Sequence, residues 1–174
     1  MKDRGLRNIQ LITSDNHEGL GAARKAVFGS IPWQRCQFHL QQNAGAYVPR
    51  QAMRAEVAAD IRAIFNAPDR NTVELYLQMA IQKFIEFAPR LSAWMEDNLT
   101  EGFTVFEFPV EHRRFIHTTN RLERANKEIS RRTRVVDIFP NEASCLRLIA
   151  AVLMEISEDW QIGKRYYPSK SLNC

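Results

Sequence analysis

An acidic residue shortly after an apolar segment is the first feature of the sequence that could do chemistry. Residues 8–13 carry three large aliphatic side chains, and Asp15 comes two positions later. A carboxylate at the end of a strand lies in a fixed place beside an open cleft, and its hard oxygen atoms suit Mg²⁺. Asp15 is therefore a candidate metal ligand. The alternative is that Asp15 or Asn16 caps the helix that follows, because both residue types are preferred there.

A cysteine and a histidine at C-x-x-H spacing form the second candidate. Cys36 and His39 could supply two zinc ligands. A structural zinc site takes four ligands, and nothing in the spacing of the conceivable partners Cys145, His112 and His117 favours any of them. The sequence therefore does not predict zinc. The alternative is a buried cysteine followed by a histidine that is hydrogen-bonded at the start of a helix.

Positive charge is concentrated in one short segment. Residues 113–134 contain eight Lys and Arg and two acidic residues, a balance of +6, whereas the rest of the chain has a balance of −2. Such crowding repels itself unless an anion relieves it, and a guanidinium donates two parallel hydrogen bonds to a phosphate. The alternative is a solvated helix face. Contact with a polyanion is predicted for Arg121, Arg124, Lys127, Arg131, Arg132 and Arg134.

One acid inside this basic segment has two interpretations. Glu123 follows Asn120 by three residues, which resembles a capping box at the start of a helix. In the other interpretation, Glu123 turns toward Asp15 as a second metal ligand. The residues alone leave both open.

Hydrophobic periodicity predicts the elements that would position these residues. Residues 8–13 predict a short buried strand, a helix follows and ends near Gly29, and residues 31–36 predict a second strand. A strand, a helix and a strand in this order indicate an α/β core.

The rest of the chain is predicted to be helical. Between residues 37 and 99 the periodicity predicts helices only, with an interruption at Pro68 and a helix stop at Pro89. Residues 103–108 could be extended or a loop. A helix then begins near Asn120 with an apolar face of Leu122, Ala125 and Ile129. A last amphipathic helix begins after the N-cap Asn141, with apolar residues Leu146, Ile149, Leu153, Ile156 and Trp160, and the tail after Tyr167 is predicted to fray.

Composition limits the class of protein. The chain has 174 residues, 45% of them hydrophobic and 25% charged, with a net charge of +4, as expected for a globular domain with a core. Three cysteines are too few for a disulfide scaffold and favour a reducing compartment. No apolar run reaches the roughly 18 residues of a membrane span, and the first residues lack the apolar core of a signal peptide. These features predict a cytoplasmic protein without membrane contact.

Four motifs, found in order along the chain, resemble those of the Mutator-type transposases of bacterial insertion sequences. Four motifs in this order are specific, and the similarity extends from about residue 6 to residue 167. The resemblance implies an α/β fold that is part of an RNase H-like fold, with a mostly helical insertion between the second Asp and the Glu of an Asp-Asp-Glu triad. The motifs are residues 14–20, 33–39, 118–129 and 131–141.

The resemblance also assigns boundaries and residues. Residues 1–39 would be the strand–helix–strand part of the core, residues 40–110 the helical insertion, and residues 111–174 the C-terminal helices. Asp15 matches the second Asp and Glu123 the Glu, with Glu128 of the same motif as the second choice. A structural or DNA-proximal role is implied for Cys36, His39 and Asn120.

The function implied by the resemblance is metal-dependent cleavage and strand transfer of DNA. The complete enzyme would use two Mg²⁺ or Mn²⁺ ions and act on transposon ends and target DNA. The first Asp of the family lies well upstream of the second, whereas this sequence starts fourteen residues before Asp15. We therefore expect a truncated catalytic domain that does not cleave DNA alone, and whose uncovered sheet edge favours association with itself or with a full-length transposase. The alternatives are a non-catalytic DNA-binding or regulatory remnant and a helical interaction protein.

Overall fold

The chain forms two compact units, and each is described separately. A computed structural model describes residues 5–136 and 138–162. The first unit comprises Met1–Thr118 and the second Thr119–Cys174. The predicted fraying of the tail after Tyr167 lies outside the described residues.

A two-stranded parallel sheet opens the first unit. Strand β1 (Ile12–Ser14) pairs with strand β2 (Trp33–Arg35), and helix α1 (Glu18–Phe28) lies between them in the chain. The predicted strand–helix–strand order is confirmed, and this part of the chain is α/β. The predicted start of the first strand is wrong. Residues 8–11 are not in the sheet, and Asn8 has a φ of 56°, a left-handed conformation that does not fit an extended strand.

Helix α1 ends where the sequence predicts, since Gly29 is its C-cap residue. None of its described side chains is buried, and Leu20 and Val27 are 47% and 46% exposed. The apolar positions that predict this helix therefore form a stripe that faces solvent.

Five further helices form the body of the first unit, and the prediction of helices between residues 37 and 99 is confirmed. Short 3-10 helices join them at Gly45–Tyr47, Gln51–Met53, Leu99–Gly102 and Thr104–Glu107. Of the two alternatives given for residues 103–108, an extended segment or a loop, the extended one is therefore wrong, and most of this connection is a 3-10 helix. The five helices are α2 (Gln37–Ala44), α3 (Arg54–Phe65), α4 (Arg70–Phe84), α5 (Pro89–Asn98) and α6 (Val110–Ile116).

The two prolines of this body act at different ends of helices. Pro68 lies between α3 and α4, as predicted, and Asp69 then caps α4 by accepting a 2.8 Å hydrogen bond from the Thr72 amide. Pro89 does not stop α4, which already ends at Phe84; it is the first residue of α5. Proline is favoured there because the first helical N–H has no partner within the helix.

The core of the first unit lies among these helices. Its fully buried side chains include Leu40, Ile61, Phe84, Leu91 and Phe103, each 0% exposed. The aromatic rings of Phe65 and Phe106 meet Phe103 edge to face, a favoured geometry for aromatic pairs.

The second unit contains helix α7 (Asn120–Val136) and helix α8 (Glu142–Ile162). The N-cap prediction at Asn141 is confirmed, since its side-chain oxygen accepts a 2.9 Å hydrogen bond from the Ser144 amide. Among the residues of these two helices whose burial is described, Ala125 and Val152 are buried.

The predicted apolar faces of this unit are only partly correct. On α7, Ala125 is buried, but Leu122 is 60% exposed. On α8, Ile149 and Ile156 are half-buried, whereas three other members of the predicted face are exposed: Leu146, Leu153 and Trp160. Among the described helices, none combines the length and apolar character needed to cross a bilayer.

Candidate functional site

The candidate site of the first unit lies where the two parallel strands end. Asp15 follows β1 and Cys36 follows β2, and the Cys36 amide donates a 2.9 Å hydrogen bond to the Ser14 carbonyl. Because parallel strands end at the same edge of a sheet, the two residues are neighbours. The Asp15 side chain is 50% exposed, whereas Cys36 is fully buried. An accessible carboxylate therefore lies beside a buried thiol.

His39 completes this group from the first turn of α2. Its Nδ1 atom lies 2.5 Å from Oδ1 of Asp15, and its side chain is 27% exposed. One potential ligand atom each of Asp15, Cys36 and His39 lies within 4.8 Å of the other two. We call these three residues the Asp–Cys–His cluster. The sequence singled out all three but did not predict that they lie together.

The alternative role of Asp15 as a helix cap is wrong. The N-cap residue of α1 is His17, and no side chain provides a capping hydrogen bond there. The alternative for Cys36 and His39, a buried cysteine and a polar-bonded histidine at a helix start, agrees with the observed positions.

Contacts from later in the chain fix the backbone around this cluster. The Thr13 hydroxyl donates a 2.7 Å hydrogen bond to the Ile116 carbonyl, and the Gln37 amide donates to the His117 carbonyl at 3.0 Å. The Gln37 side chain donates to the Gly102 carbonyl at 2.8 Å. The ends of β1 and β2 are therefore tied both to the end of α6 and to the turn after α5.

The buried guanidinium group of Arg35 stabilises β2. Nη1 of Arg35 lies 2.8 Å from the Glu101 carboxylate and donates a 3.0 Å hydrogen bond to the Asn98 side chain. The side chain of Arg35 is 6% exposed, so its charge depends on these partners, since an unpaired buried charge is costly.

The candidate site of the second unit is a row of cations along α7. Arg124, Lys127, Arg131 and Arg134 recur at helical spacing and are all exposed, on the side of the helix opposite buried Ala125. We call these four residues the basic stripe. Within residues 5–136 and 138–162, the only ion pair of the stripe joins Arg131 to Glu128, at 2.7 Å. The stripe is therefore positioned to meet anions from solvent.

The two acids of α7 have different surroundings. Glu128 accepts hydrogen bonds from Arg131 at 2.7 and 2.9 Å and from Arg132 at 2.8 Å. These hydrogen bonds, that of Arg131 first, lower the pKa of Glu128 to about 2. Glu123 instead accepts a 2.8 Å hydrogen bond from the Thr119 hydroxyl. A metal ion at Glu128 would have to displace two guanidinium groups.

The predicted capping box at the start of α7 is wrong. Asn120 is the first residue of the helix itself, so the hydroxyl that reaches Glu123 comes from Thr119, one residue earlier. The two other cations predicted to bind a polyanion have partners within the unit. Arg132 lies 3.3 Å from Glu155, and the guanidinium of Arg121 lies 5.9 Å from the Trp160 ring centroid.

Comparison with known proteins identifies the family of this chain. The model for "Transposase, Mutator family" matches residues 1–163. The chain belongs to the Mutator family of transposases. The resemblance seen in its motifs is thereby confirmed.

Relatives of this Mutator-family chain are transposases of bacterial insertion sequences. It is 55% identical over 163 residues to the transposase for IS406 from Burkholderia multivorans, an alignment that covers 94% of this chain and 42% of the relative. It is 38% identical to the transposase for ISRM5 from Rhizobium meliloti, covering 95% of this chain and 42% of that protein. It is 34% identical to the transposase for IS256 in Tn4001 from Staphylococcus aureus, covering 96% and 43%. The chain thus spans about two fifths of the length of these relatives.

One member of the basic segment of this Mutator-family chain has a structural role that the sequence did not reveal. Arg113 donates hydrogen bonds to the carbonyl groups of Pro68, Phe106 and Phe108, at 2.7, 3.1 and 2.9 Å. Its acceptors are backbone atoms of the connections between helices, for which side-chain patterns carry no signal. Part of the positive charge in residues 113–134 therefore stabilises the first unit.

Proposed function

We propose that this chain carries part of the catalytic domain of an insertion-sequence transposase, an enzyme that cleaves DNA and joins the freed strand to a target. The observation that supports it most is the exposed carboxylate of Asp15 at the shared end of two parallel strands. The strand–helix–strand order followed by a helical body also supports our assignment to a partial RNase H-like fold. The division at residues 39 and 110 remains a prediction.

Two acids are proposed as catalytic ligands, Asp15 in the first unit and Glu123 in the second. Asp15 fits a hard cation because its carboxylate is half exposed and follows a strand with a fixed backbone. Glu123 is preferred to Glu128 because two arginines occupy the Glu128 carboxylate.

The metal ions proposed for this chemistry are Mg²⁺ or Mn²⁺. When bound in the complete enzyme, a pair of such ions supplies an activated hydroxyl nucleophile and stabilises the leaving oxygen. Asp15 and Glu123 would provide oxygen ligands and negative charge. Only these two of the three family acids have an assigned position here, so we propose that the chain alone does not cleave DNA.

A domain exchange tests this proposal. We expect a chimera, in which residues 1–163 replace the matching region of the IS406 transposase, to join marked IS406 ends to a target plasmid in the presence of Mg²⁺. The 174-residue chain alone should be inactive in the same assay, because the remaining ligand would come from the part of the relative outside the match. A folded, DNA-binding chimera without activity would favour a non-catalytic remnant. Activity of the chain alone would disprove the missing-ligand argument.

DNA is the proposed partner, and the basic stripe is its proposed contact surface. Arginine and lysine neutralise backbone phosphates with little dependence on sequence. We expect replacement of all four stripe residues by Ala to reduce the slope of log K against log salt by roughly two to four units, since each phosphate contact contributes about 0.9. Fluorescence anisotropy of labelled duplex DNA at several salt concentrations measures this slope.

A charge-matched control separates contact from net charge. Arg50, Arg54, Arg62 and Arg90 are exposed residues of the first unit, and their replacement by Ala removes the same four charges. The control should change the slope by much less than the stripe variant. Equal slopes for both variants would show that the stripe does not touch phosphate.

A regulatory role without catalysis is the second candidate, and the position of the stripe favours it. The stripe belongs to a unit that does not contain Asp15, so DNA binding has no need of that acid. A variant with Asp15→Asn and Glu123→Gln should bind DNA with unchanged salt dependence in either case. Only the catalytic proposal requires that the same changes abolish strand transfer in the chimera.

A further inference from the structure

We propose that the Asp–Cys–His cluster binds a single divalent cation of the Zn²⁺ class. Asp15, Cys36 and His39 offer a carboxylate, a thiolate and an imidazole, and their ligand atoms lie within 4.8 Å of one another. This donor set is that of borderline-soft ions such as Zn²⁺ and Co²⁺. Mg²⁺ takes oxygen ligands, so within the cluster it would use Asp15 alone, whereas a Zn²⁺-class ion would use all three residues.

Hydrogen bonds within the protein fix the backbone of the Asp–Cys–His cluster. Cys36 is fully buried, its amide is bonded to Ser14, and its carbonyl accepts a 3.0 Å hydrogen bond from the Leu40 amide. His39 lies one turn into α2. Ligands on regular elements keep a defined geometry, so the sulfur and the imidazole approach the ion from fixed directions.

The contact between Asp15 and His39 already brings two of the three ligands together. Nδ1 and Oδ1 lie 2.5 Å apart, a distance at which a proton lies between the two groups, and a bound metal ion would replace that proton. Zn²⁺ bonds to such ligands are about 2.0–2.3 Å long, so an ion bound by both side chains would move Asp15 and His39 apart, a movement that the half-exposed Asp15 side chain can make.

The fourth coordination position would be open to water. Within the described ranges, no fourth His, Cys, Asp or Glu joins the cluster, and the Asp15 side chain is 50% exposed. Three protein ligands with an open position differ from the closed four-ligand shell of structural zinc. This proposal does not depend on the transposase reaction, because it is tested by metal binding alone.

Cobalt titration of a chain with one thiol tests the site. The sequence has three cysteines, so Cys145→Ser with Cys174→Ser leaves Cys36 as the only thiol. Adding Co²⁺ to this reduced 174-residue variant should produce a near-ultraviolet thiolate-to-cobalt charge-transfer band, and Zn²⁺ should bleach it. Adding Cys36→Ser to the same background should remove the band.

Two further variants test the other ligands. In the single-thiol background, Asp15→Asn and His39→Asn should each weaken Co²⁺ binding at least tenfold, while the matched change His112→Asn in α6 should leave it unchanged. Thermal melting confirms that each variant is folded, and the Asp15 and His39 variants decide the question if Cys36→Ser does not fold. Absence of the band in the single-thiol chain, its persistence after Cys36→Ser, or equal binding by the His39 and His112 variants would overturn the proposal.

Discussion

Asp15→Asn should lower strand transfer by the IS406 chimera more than about 100-fold while leaving its affinity for DNA unchanged. The amide keeps the shape of the carboxylate but removes its charge and its strength as a ligand for hard cations. Substitution of a group that only orients a metal ligand already lowers metal affinity or activity about 10–100-fold. Loss of the ligand itself should therefore lower the activity further. The measurement is the yield of joined plasmid per unit time at saturating Mg²⁺.

Substitutions at three other positions test whether the loss of activity is specific to the proposed ligands. Asn16→Ala changes the next exposed residue and should retain near-normal activity. Glu123→Gln should match the loss caused by Asp15→Asn, whereas Glu128→Gln should have a much smaller effect, because Arg131 and Arg132 already bind that carboxylate. Normal activity of the Asp15→Asn chimera would reject Asp15 as a ligand, and a large loss only in Glu128→Gln would transfer the role of Glu123 to Glu128.

The grouping of Asp15 with Cys36 and His39 illustrates what periodicity alone leaves undetermined. The sequence predicts both strands and places Asp15 after the first, Cys36 at the end of the second and His39 after it, but it carries no signal for the mutual direction of the strands. Parallel pairing, Ser14 opposite Arg35, brings the two strand ends to one edge. The residues of the site were therefore predictable one by one, and their proximity was not.

The start of α8 could likewise be predicted from the sequence, whereas its buried face could not. The N-cap at Asn141 was predictable because its hydrogen bond spans three residues and depends only on local sequence. The buried face of α8 depends on which neighbour the helix packs against, so Val152 is buried while Leu153 is 45% exposed. The pairing of Glu128 with Arg131 and Arg132 could have been predicted from their spacings of three and four residues. The family motif instead suggested Glu128 as a second-choice metal ligand.

The second large effect is expected from the core, where Phe103→Ala should destabilise the first unit by about 3–5 kcal/mol. Phe103 is 0% exposed; Phe65 and Phe106 contact its ring, and the Arg70 guanidinium lies 5.4 Å from its centroid. Truncation removes buried apolar area and leaves a cavity that these partners can fill only in part. Urea denaturation followed by circular dichroism gives the change in free energy of unfolding.

Phe87→Ala is the matched control for that experiment. Phe87 is 54% exposed, so the same truncation should cost about 1 kcal/mol or less, most of it from the edge contact with Phe84. Similar losses for Phe87→Ala and Phe103→Ala would contradict the assignment of Phe103 to the core.

The position of Phe103 also connects core stability to the candidate site. Next to it, the Thr104 hydroxyl donates a 2.6 Å hydrogen bond to the Trp33 carbonyl, and the Val105 amide donates to the buried Gln34 side chain at 2.7 Å. The turn that carries Phe103 thus supports β2, which directly precedes Cys36. Phe103→Ala should therefore weaken Co²⁺ binding by the cluster as well as stability, whereas Phe87→Ala should affect neither strongly. A core variant that loses stability but keeps full cobalt affinity would show that β2 holds its end without this support.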